Sequence, residues 1–319
     1  MAEPLNRSGP QALVAALADG AWHSGTRLAA DFGISRAALA KRIDALADWG
    51  LAVERRHGRG YRLAAPLELL NGAAIAAPPG LHLQLASVLD STNTALLDAD
   101  PATDPQALFA EYQKQGRGRR GRHWQAPYGQ HLMGSLAWRF PVWPRDLGCL
   151  PLAVGVACAE ALAEVGVAGV QLKWPNDLYL GGRKLGGLLM EHRGELGGAC
   201  RVVVGVGINL RPFPPTAVPD QPWTATDLWT PAPVARNRLI GRLLRRLAGL
   251  MEGYPAEGFA AWRARWAARD LCRDRPVQVS GNPGFEGIAR GVGEDGQLQV
   301  ETASGLQRVS SGEVSVRLA

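Results

Sequence analysis

Long apolar runs are missing from this sequence of 319 residues. No stretch approaches the roughly 20 consecutive apolar residues of a membrane span. Residues 1–7 have no apolar core of the kind a secretory signal carries. Cysteine is scarce and scattered. Cys149, Cys158, Cys200 and Cys272 form no C-x-x-C pair, so neither a disulfide framework nor a thiolate zinc site is expected, and a reduced, cytoplasmic setting fits. A dominant charge is also missing. The 35 basic and 29 acidic residues leave a net charge of +6, which suits a phosphate-bearing partner without demanding one. The rest is the composition of an ordinary globular protein, 46% hydrophobic and 20% charged. The length points to two or three domains.

The first 65 residues carry a helical pattern. Leu13, Val14 and Leu17 share one face of a helix over residues 10–19 that ends at Gly20. Ser24 and Ser35 are N-caps for two more helices, over residues 25–32 and 36–49. Leu39, Ile43 and Leu46 form the buried stripe of the third, with Gly50 at its end. Strands follow at residues 51–53 and 61–63, around His57-Gly58-Arg59-Gly60. This is a winged helix-turn-helix. It has nine basic and six acidic side chains, with the positive charge on the third helix and the wing. That placement suits a groove-reading helix in DNA; a protein-interaction domain is the alternative.

Residues 66–79 read as a linker, and Leu81, Leu83 and Leu85 begin a strand. Asp90-Ser91-Thr92-Asn93 then opens a helix. Capping accounts for one of these polar residues, not four, so a helix end offering polar groups to a ligand is the stronger reading. After a buried strand over residues 107–112 comes Gly116-Arg117-Gly118-Arg119-Arg120-Gly121-Arg122. Glycines let such a loop fold closely round a ligand, and arginine forks match phosphate oxygens. A solvated loop, or one lying on nucleic acid, remains possible from this segment alone.

Further on, a strand covers residues 132–140 and an apolar helix residues 147–165. The motif Lys173-Trp174-Pro175-Asn176-Asp177 stands at the end of a short strand. A lysine for phosphate and a carboxylate for magnesium are what an ATP site requires; an ordinary turn with solvated charges is the alternative. Gly181-Gly182 spells a two-residue hairpin leading to Lys184, with paired glycines at Gly186 and Gly187. A lone lysine is more often solvent-facing, so Lys184 depends on its neighbours. A buried strand ends at Gly207-Ile208-Asn209. Residues 211–233 hold seven prolines and cannot be regular structure; a loop of that length inside a domain is functional or mobile. Two helices come next, over residues 234–254 and 258–268, with Phe259, Trp262 and Trp266 as core. Five short strands from Pro276 onward form a small closed β-barrel.

Taken together, Asp90-Ser-Thr-Asn93, Tyr112-Gln113, Gly116 to Arg122, Lys173 to Leu178, Arg183-Lys-Leu-Gly186 and Gly207-Ile-Asn209 resemble the bifunctional biotin–protein ligase and biotin-operon repressor family over essentially the whole chain. The resemblance implies an α+β protein: a winged helix-turn-helix (residues 1–65), a catalytic domain with a mixed sheet like that of class II tRNA synthetases (66–272), and an SH3-like barrel (273–319). It implies that biotin is held by Ser91, Thr92, Asn93, Gln113, Arg117, Gly118, Arg119 and Lys184. ATP is held by Arg119, Arg122, Lys173, Asn176, Asn209 and, in a loop that departs from the family pattern, Trp223; Asp177 holds magnesium. Lys184, Arg119 and Lys173 carry the chemistry. DNA is met by Ser35, Arg36, Ala37, Lys41 and Arg59. The implied activity makes biotinyl-5′-adenylate from biotin and ATP. It then transfers biotin to a lysine of the biotin carboxyl carrier protein of acetyl-CoA carboxylase, and a ligand-induced homodimer represses biotin-synthesis genes. A ligase without repression, and a lipoate or octanoyl ligase, are the alternatives.

Overall fold

The computed structural model describes residues 9–213, 221–281, 284–312 and 315–318. Residues 214–220 of the proline-rich loop, Asn282 of an expected turn and Val314 of the last expected strand lie outside the described residues.

Helices α1 (Pro10–Leu17), α2 (Gly25–Asp31) and α3 (Arg36–Asp44) and strands β1 (Val53–Arg56) and β2 (Gly60–Leu63) build the N-terminal domain. The serine caps work as read: Ser24 accepts from the Arg27 N–H and Ser35 from the Ala38 N–H. Leu39, Ile43 and Leu46 are buried. Two boundaries differ from expectation. The third helix tightens into a 3-10 turn at Ala45–Trp49, and the first strand begins at Val53, not at residue 51. Leu51 is buried and its N–H bonds the Leu46 carbonyl, so it closes the helix end and leaves pairing to start with Val53 opposite Leu63.

The central sheet has seven strands in the order β3-β4-β5-β9-β8-β7-β6. They are β3 (His82–Leu89), β4 (Gln106–Gln113), β5 (Leu132–Phe140), β6 (Gln171–Lys173), β7 (Asp177–Leu180), β8 (Arg183–Gly194) and β9 (Cys200–Ile208). Only β3 and β4 run parallel; the other ladders are antiparallel. Alternation along the strands serves two cores. Ala107, Phe109, Leu136, Val202 and Val204 face the large core with helices α5 (Leu150–Ala163), α6 (Arg236–Glu257) and α7 (Ala260–Ala267). Leu108, Ala137 and Val203 face the short helix α4 (Thr92–Asp98) through Leu96. Phe259, Trp262 and Trp266 are core, as read.

The segment read as a linker is part of the central body. Helix α6 has no cap of its own; the Glu68 carboxylate accepts from the N–H groups of Arg236 and Asn237 instead. A buried ion pair, Arg236 to Glu111 at 2.5 Å, lies beneath, and the Leu70 N–H bonds the same Glu111 carboxylate. One 3-10 turn, Gly72–Ala74, lies in this segment. The N-terminal domain is seated on this body through Trp49. Its ring stacks on Tyr128 at 4.9 Å and tilts against Tyr112 at 6.1 Å, and its carbonyl accepts from the Tyr128 N–H.

The C-terminal strands β10 (Pro276–Ser280), β11 (Phe285–Val292), β12 (Leu298–Thr302), β13 (Gly305–Val309) and β14 (Ser315–Leu318) form an antiparallel sheet in the order β13-β12-β11-β10-β14. Among the described residues no ladder joins β13 to β14, so backbone pairing leaves the expected barrel open at that seam. No helix among the described residues is long and apolar enough to cross a membrane.

Candidate functional site

A cleft of about 1080 Å³ opens where the N-terminus of α4, the arginine loop, the β6–β7 turn, β8, β9 and the last strand converge. The cleft gathers all fourteen residues expected from the sequence for the ligands and the metal. Ser91, Thr92, Asn93, Gln113, Arg117, Gly118, Arg119, Arg122, Lys173, Asn176, Asp177, Lys184, Asn209 and Trp223 all line it.

The floor is made of glycines for a steric reason. A Cβ on Gly205 would stand 2.4 Å from Asn93 Oδ1, and one on Gly207 would stand 2.6 Å from the Trp124 ring. Real side chains never come so close, so these positions keep the cleft deep.

At one end Thr92, Asn93, Gln113 and Ser135 form a closed network. The Thr92 N–H donates to Gln113 Oε1 at 2.7 Å. Ser135 donates its hydroxyl proton to Asn93 Oδ1 at 2.6 Å, and the one Thr92 hydroxyl proton is shared between Ser135 at 2.7 Å and Gln113 Oε1 at 3.1 Å. Asn93 Nδ2 gives its two protons to the Leu189 carbonyl and to Glu191. Asn93 therefore has no donor left for a ligand, whereas the Gln113 amide group keeps its own. Ser91 caps α4 through the Thr94 N–H.

The arginine loop is ordered as a small hairpin. The Gly118 N–H bonds the Arg122 carbonyl at 2.7 Å and the Trp124 N–H bonds the Gly116 carbonyl at 2.8 Å. Arg120 takes a left-handed conformation, φ 59°, which costs a non-glycine residue about 1 kcal/mol. Side chains hold the loop down. Arg117 is paired with Glu191 at 2.7 Å. Arg119 donates to Asn176 and to the carbonyls of Ser311 and Gly312 in the C-terminal domain. Burial pulls the Arg119 guanidinium below its ordinary range, with Arg120 adding to the effect.

The other wall carries the lysines. A register shift in the β7–β8 ladder pairs Leu178 with Gly186 and Tyr179 with Lys184, leaving Leu185 as the extra residue of a bulge. Lys184 Nζ then meets Asp177 Oδ1 at 2.8 Å. Its backbone is held by residues 222–224, through the Pro222 carbonyl and the Thr224 N–H. Lys173 lies over the Tyr179 ring at 5.4 Å, and burial draws its ammonium below the ordinary lysine range, partly offset by Asp177. Asn209 Oδ1 is buried with no partner among the described residues, an acceptor facing the same cleft. Trp223 packs edge-on against Phe213 at 4.9 Å, and Phe213 against His131 at 4.6 Å.

His131 was not read from the sequence, because nothing local marks it. It is fully buried, and its Nδ1 accepts from the Leu210 N–H at 3.1 Å. Burial, then Arg236 and Arg211, lower its pKa to about 3. An unfolded histidine takes a proton near pH 6.5, whereas this one does so only near 3. Its contribution to stability is thus complete above about pH 6.5 and falls as pH drops toward 3. His131→Asn removes the titration, so wild type should lose about 3 kcal/mol relative to the variant between pH 6.5 and 4. Urea unfolding at a series of pH values measures it; parallel pH profiles would refute the buried neutral imidazole.

In the N-terminal domain, the residues expected to meet DNA, Ser35, Arg36, Ala37, Lys41 and Arg59, are all exposed. An ion pair between Arg55 and Asp44 ties the wing to α3. Among the described residues no group of three or more metal-ligating side chains occurs. Asp177 is a lone carboxylate, which fits an ion held mostly by nucleotide phosphates.

The class of protein follows from three family models that match in chain order: an HTH domain over residues 11–62, the biotin/lipoate A/B protein ligase family over 85–209, and a biotin protein ligase C terminal domain over 274–317. The chain is 39% identical over 315 residues to a bifunctional ligase/repressor BirA of Escherichia coli (strain K12), covering 97% of this chain and 98% of the relative. It is 35% identical to a biotin–[acetyl-CoA-carboxylase] ligase of Mycobacterium tuberculosis over 79% of this chain and 97% of that protein. A solved biotin protein ligase from Aquifex aeolicus, in complex with biotin and ATP, is similar in fold with a TM-score of 0.65 at 27% identity, over 75% of this chain and 99% of that one. The chain belongs to the family of bifunctional biotin–protein ligases and repressors.

Proposed function

We propose that the chain is an ATP-dependent biotin–protein ligase that also acts as a biotin-responsive repressor, working in the cytoplasm. The observation that carries this reading is the convergence of Arg119, Lys173 and Lys184 on one cleft whose far end is a hydrogen-bonding pocket at Gln113 and Thr92. Biotin's carboxylate oxygen attacks the α-phosphorus of ATP and pyrophosphate leaves. The amine of an acceptor lysine, on the biotin carboxyl carrier protein, then attacks the acyl carbon and AMP leaves.

Each step builds negative charge that the cleft is set to meet. Lys184 is held 2.8 Å from Asp177, so its ammonium is in place before ligand enters, and preorganised charge is worth more than charge recruited during reaction. Arg119 and Lys173 are partly desolvated, which strengthens their attraction for phosphate. Asn176 and Arg122 complete the phosphate side. The open acceptor of Asn209 suits an exocyclic amine, and Trp223 offers a ring face to adenine. Asp177 would hold a magnesium ion on the nucleotide phosphates, where it would offset their charge. The ligase test is a calorimetric titration: biotin should bind, more tightly with ATP, and lipoic acid should not.

Repression follows from the exposed start of α3 and the wing. One winged helix makes few phosphate contacts, too few for tight binding at physiological salt. Two on a two-fold axis would read an inverted repeat. We take the holding of the arginine loop in its closed hairpin by biotinyl-adenylate to favour that dimer. Arg36→Ala should weaken binding to DNA upstream of biotin-synthesis genes about tenfold or more and leave ligation unchanged. Gel shift and sedimentation with and without biotin and ATP check this. Equal DNA affinity with and without ligand would rule out the coupling.

A further inference from the structure

Glu191 on β8 stands outside the walls of the main cleft and lines a smaller hollow of about 350 Å³ behind the arginine loop. It stands off the cleft wall, yet both sides of the pocket are fastened to it. Its Oε2 accepts from Asn93 Nδ2 at 2.9 Å. Its two oxygens accept from the Arg117 guanidinium at 2.9 and 2.7 Å. One carboxylate thus joins α4 to the arginine loop.

We propose that Glu191 is a positioning residue for biotin: it sets Asn93 on one wall and Arg117 on the other in the arrangement that binds the ligand and retains the adenylate. This rests on the ligase reading.

Two physical arguments support it. The first is polarity. With both Asn93 amide protons held by Leu189 and Glu191, Oδ1 must face Ser135. Ser135 is then an acceptor for Thr92, and Gln113 Oε1 is taken by the Thr92 N–H. The Gln113 amide protons are left to face the cleft. Removing the Glu191 acceptor leaves one Asn93 proton without a partner and only the Leu189 carbonyl to hold the amide group, so the network that aims the Gln113 protons loosens. The second argument is charge. The loop packs four arginines into seven residues, and they repel one another when it closes. Among the described residues, Arg117 is the member of the four that is ion-paired with a carboxylate. Without that partner the closed loop carries one more uncompensated charge and opens more readily.

The test uses the full chain with Glu191→Gln, Arg117→Gln and the double variant. Biotin-dependent pyrophosphate exchange reports KM and kcat, and stopped flow reports adenylate release. Glu191→Gln should raise the KM for biotin and the release rate about tenfold, the scale of a charged hydrogen bond, with kcat within about twofold. Arg117→Gln should also raise the release rate, and the double variant should fall short of the sum of the two single effects, because both remove the Glu191–Arg117 contact. A residue that served folding alone would lower melting temperature and kcat with KM unchanged, and that pattern overturns the proposal. Unchanged KM and release in Glu191→Gln overturn it as well, as do additive effects in the double variant. If wild type itself shows no biotin-dependent exchange, the ligase reading fails and takes this proposal with it.

Discussion

Lys184→Ala is expected to lower the rate of biotinyl-adenylate formation by about 10² to 10³, the usual cost of removing one preorganised charge from a site of developing anion. The fold should survive. Lys184 lies beside a bulge whose backbone partners, at Pro222 and Thr224, do not involve its side chain. The loss is compounded by what stays behind. Asp177 is only 21% exposed and would face the phosphates with no cation at 2.8 Å, so the variant replaces an attraction by a repulsion. Lys184→Arg should recover little, since a planar fork cannot occupy the place of a compact ammonium. Pyrophosphate exchange at saturating biotin is the measurement. A rate near that of wild type would remove Lys184 from the chemistry.

Arg119→Gly is expected to act later in the cycle. Arg119 spans three parts of the molecule, bonding Asn176 on one side and the Ser311 and Gly312 carbonyls on the other. Its loss unfastens the loop from the C-terminal domain while Lys173 and Lys184 remain. Charged hydrogen bonds of this kind contribute about 1.5–3 kcal/mol, so adenylate should leave roughly 10- to 100-fold faster. Adenylation should continue, and the released mixed anhydride should label lysines on bystander proteins. A stopped-flow release rate equal to that of wild type would refute the role.

Much of the architecture was legible because its signals are local. Serine caps, the Leu39–Ile43–Leu46 stripe and the Gly181-Gly182 turn, with φ of 56° and 72°, act within a few residues of themselves. Motif residues could be gathered into one cleft because strand ends deliver them. What escaped was long-range. Glu68 caps a helix 168 residues away, Glu111 meets Arg236 across 125, and Glu191 reaches Arg117 across 74. No spacing announces such partners; only the folded chain brings the acceptor to the orphan donor. Ser135 was hidden for another reason. It sits in an apolar strand, where a lone serine looks like a tolerated small residue until its hydroxyl is seen to set the direction of a network.

The seat of the winged helix has an evolutionary consequence. Leu67, Leu69, Val88, Tyr112 and Tyr128 all pack against the core of the DNA-binding domain. Deleting that domain would turn them to water on one surface, and contiguous apolar patches drive self-association. A single-purpose ligase could not descend from this chain by truncation alone; it would need polar replacements at those positions first. Such a domain can outlive the operator it once read, kept by the hydrophobic surface it covers.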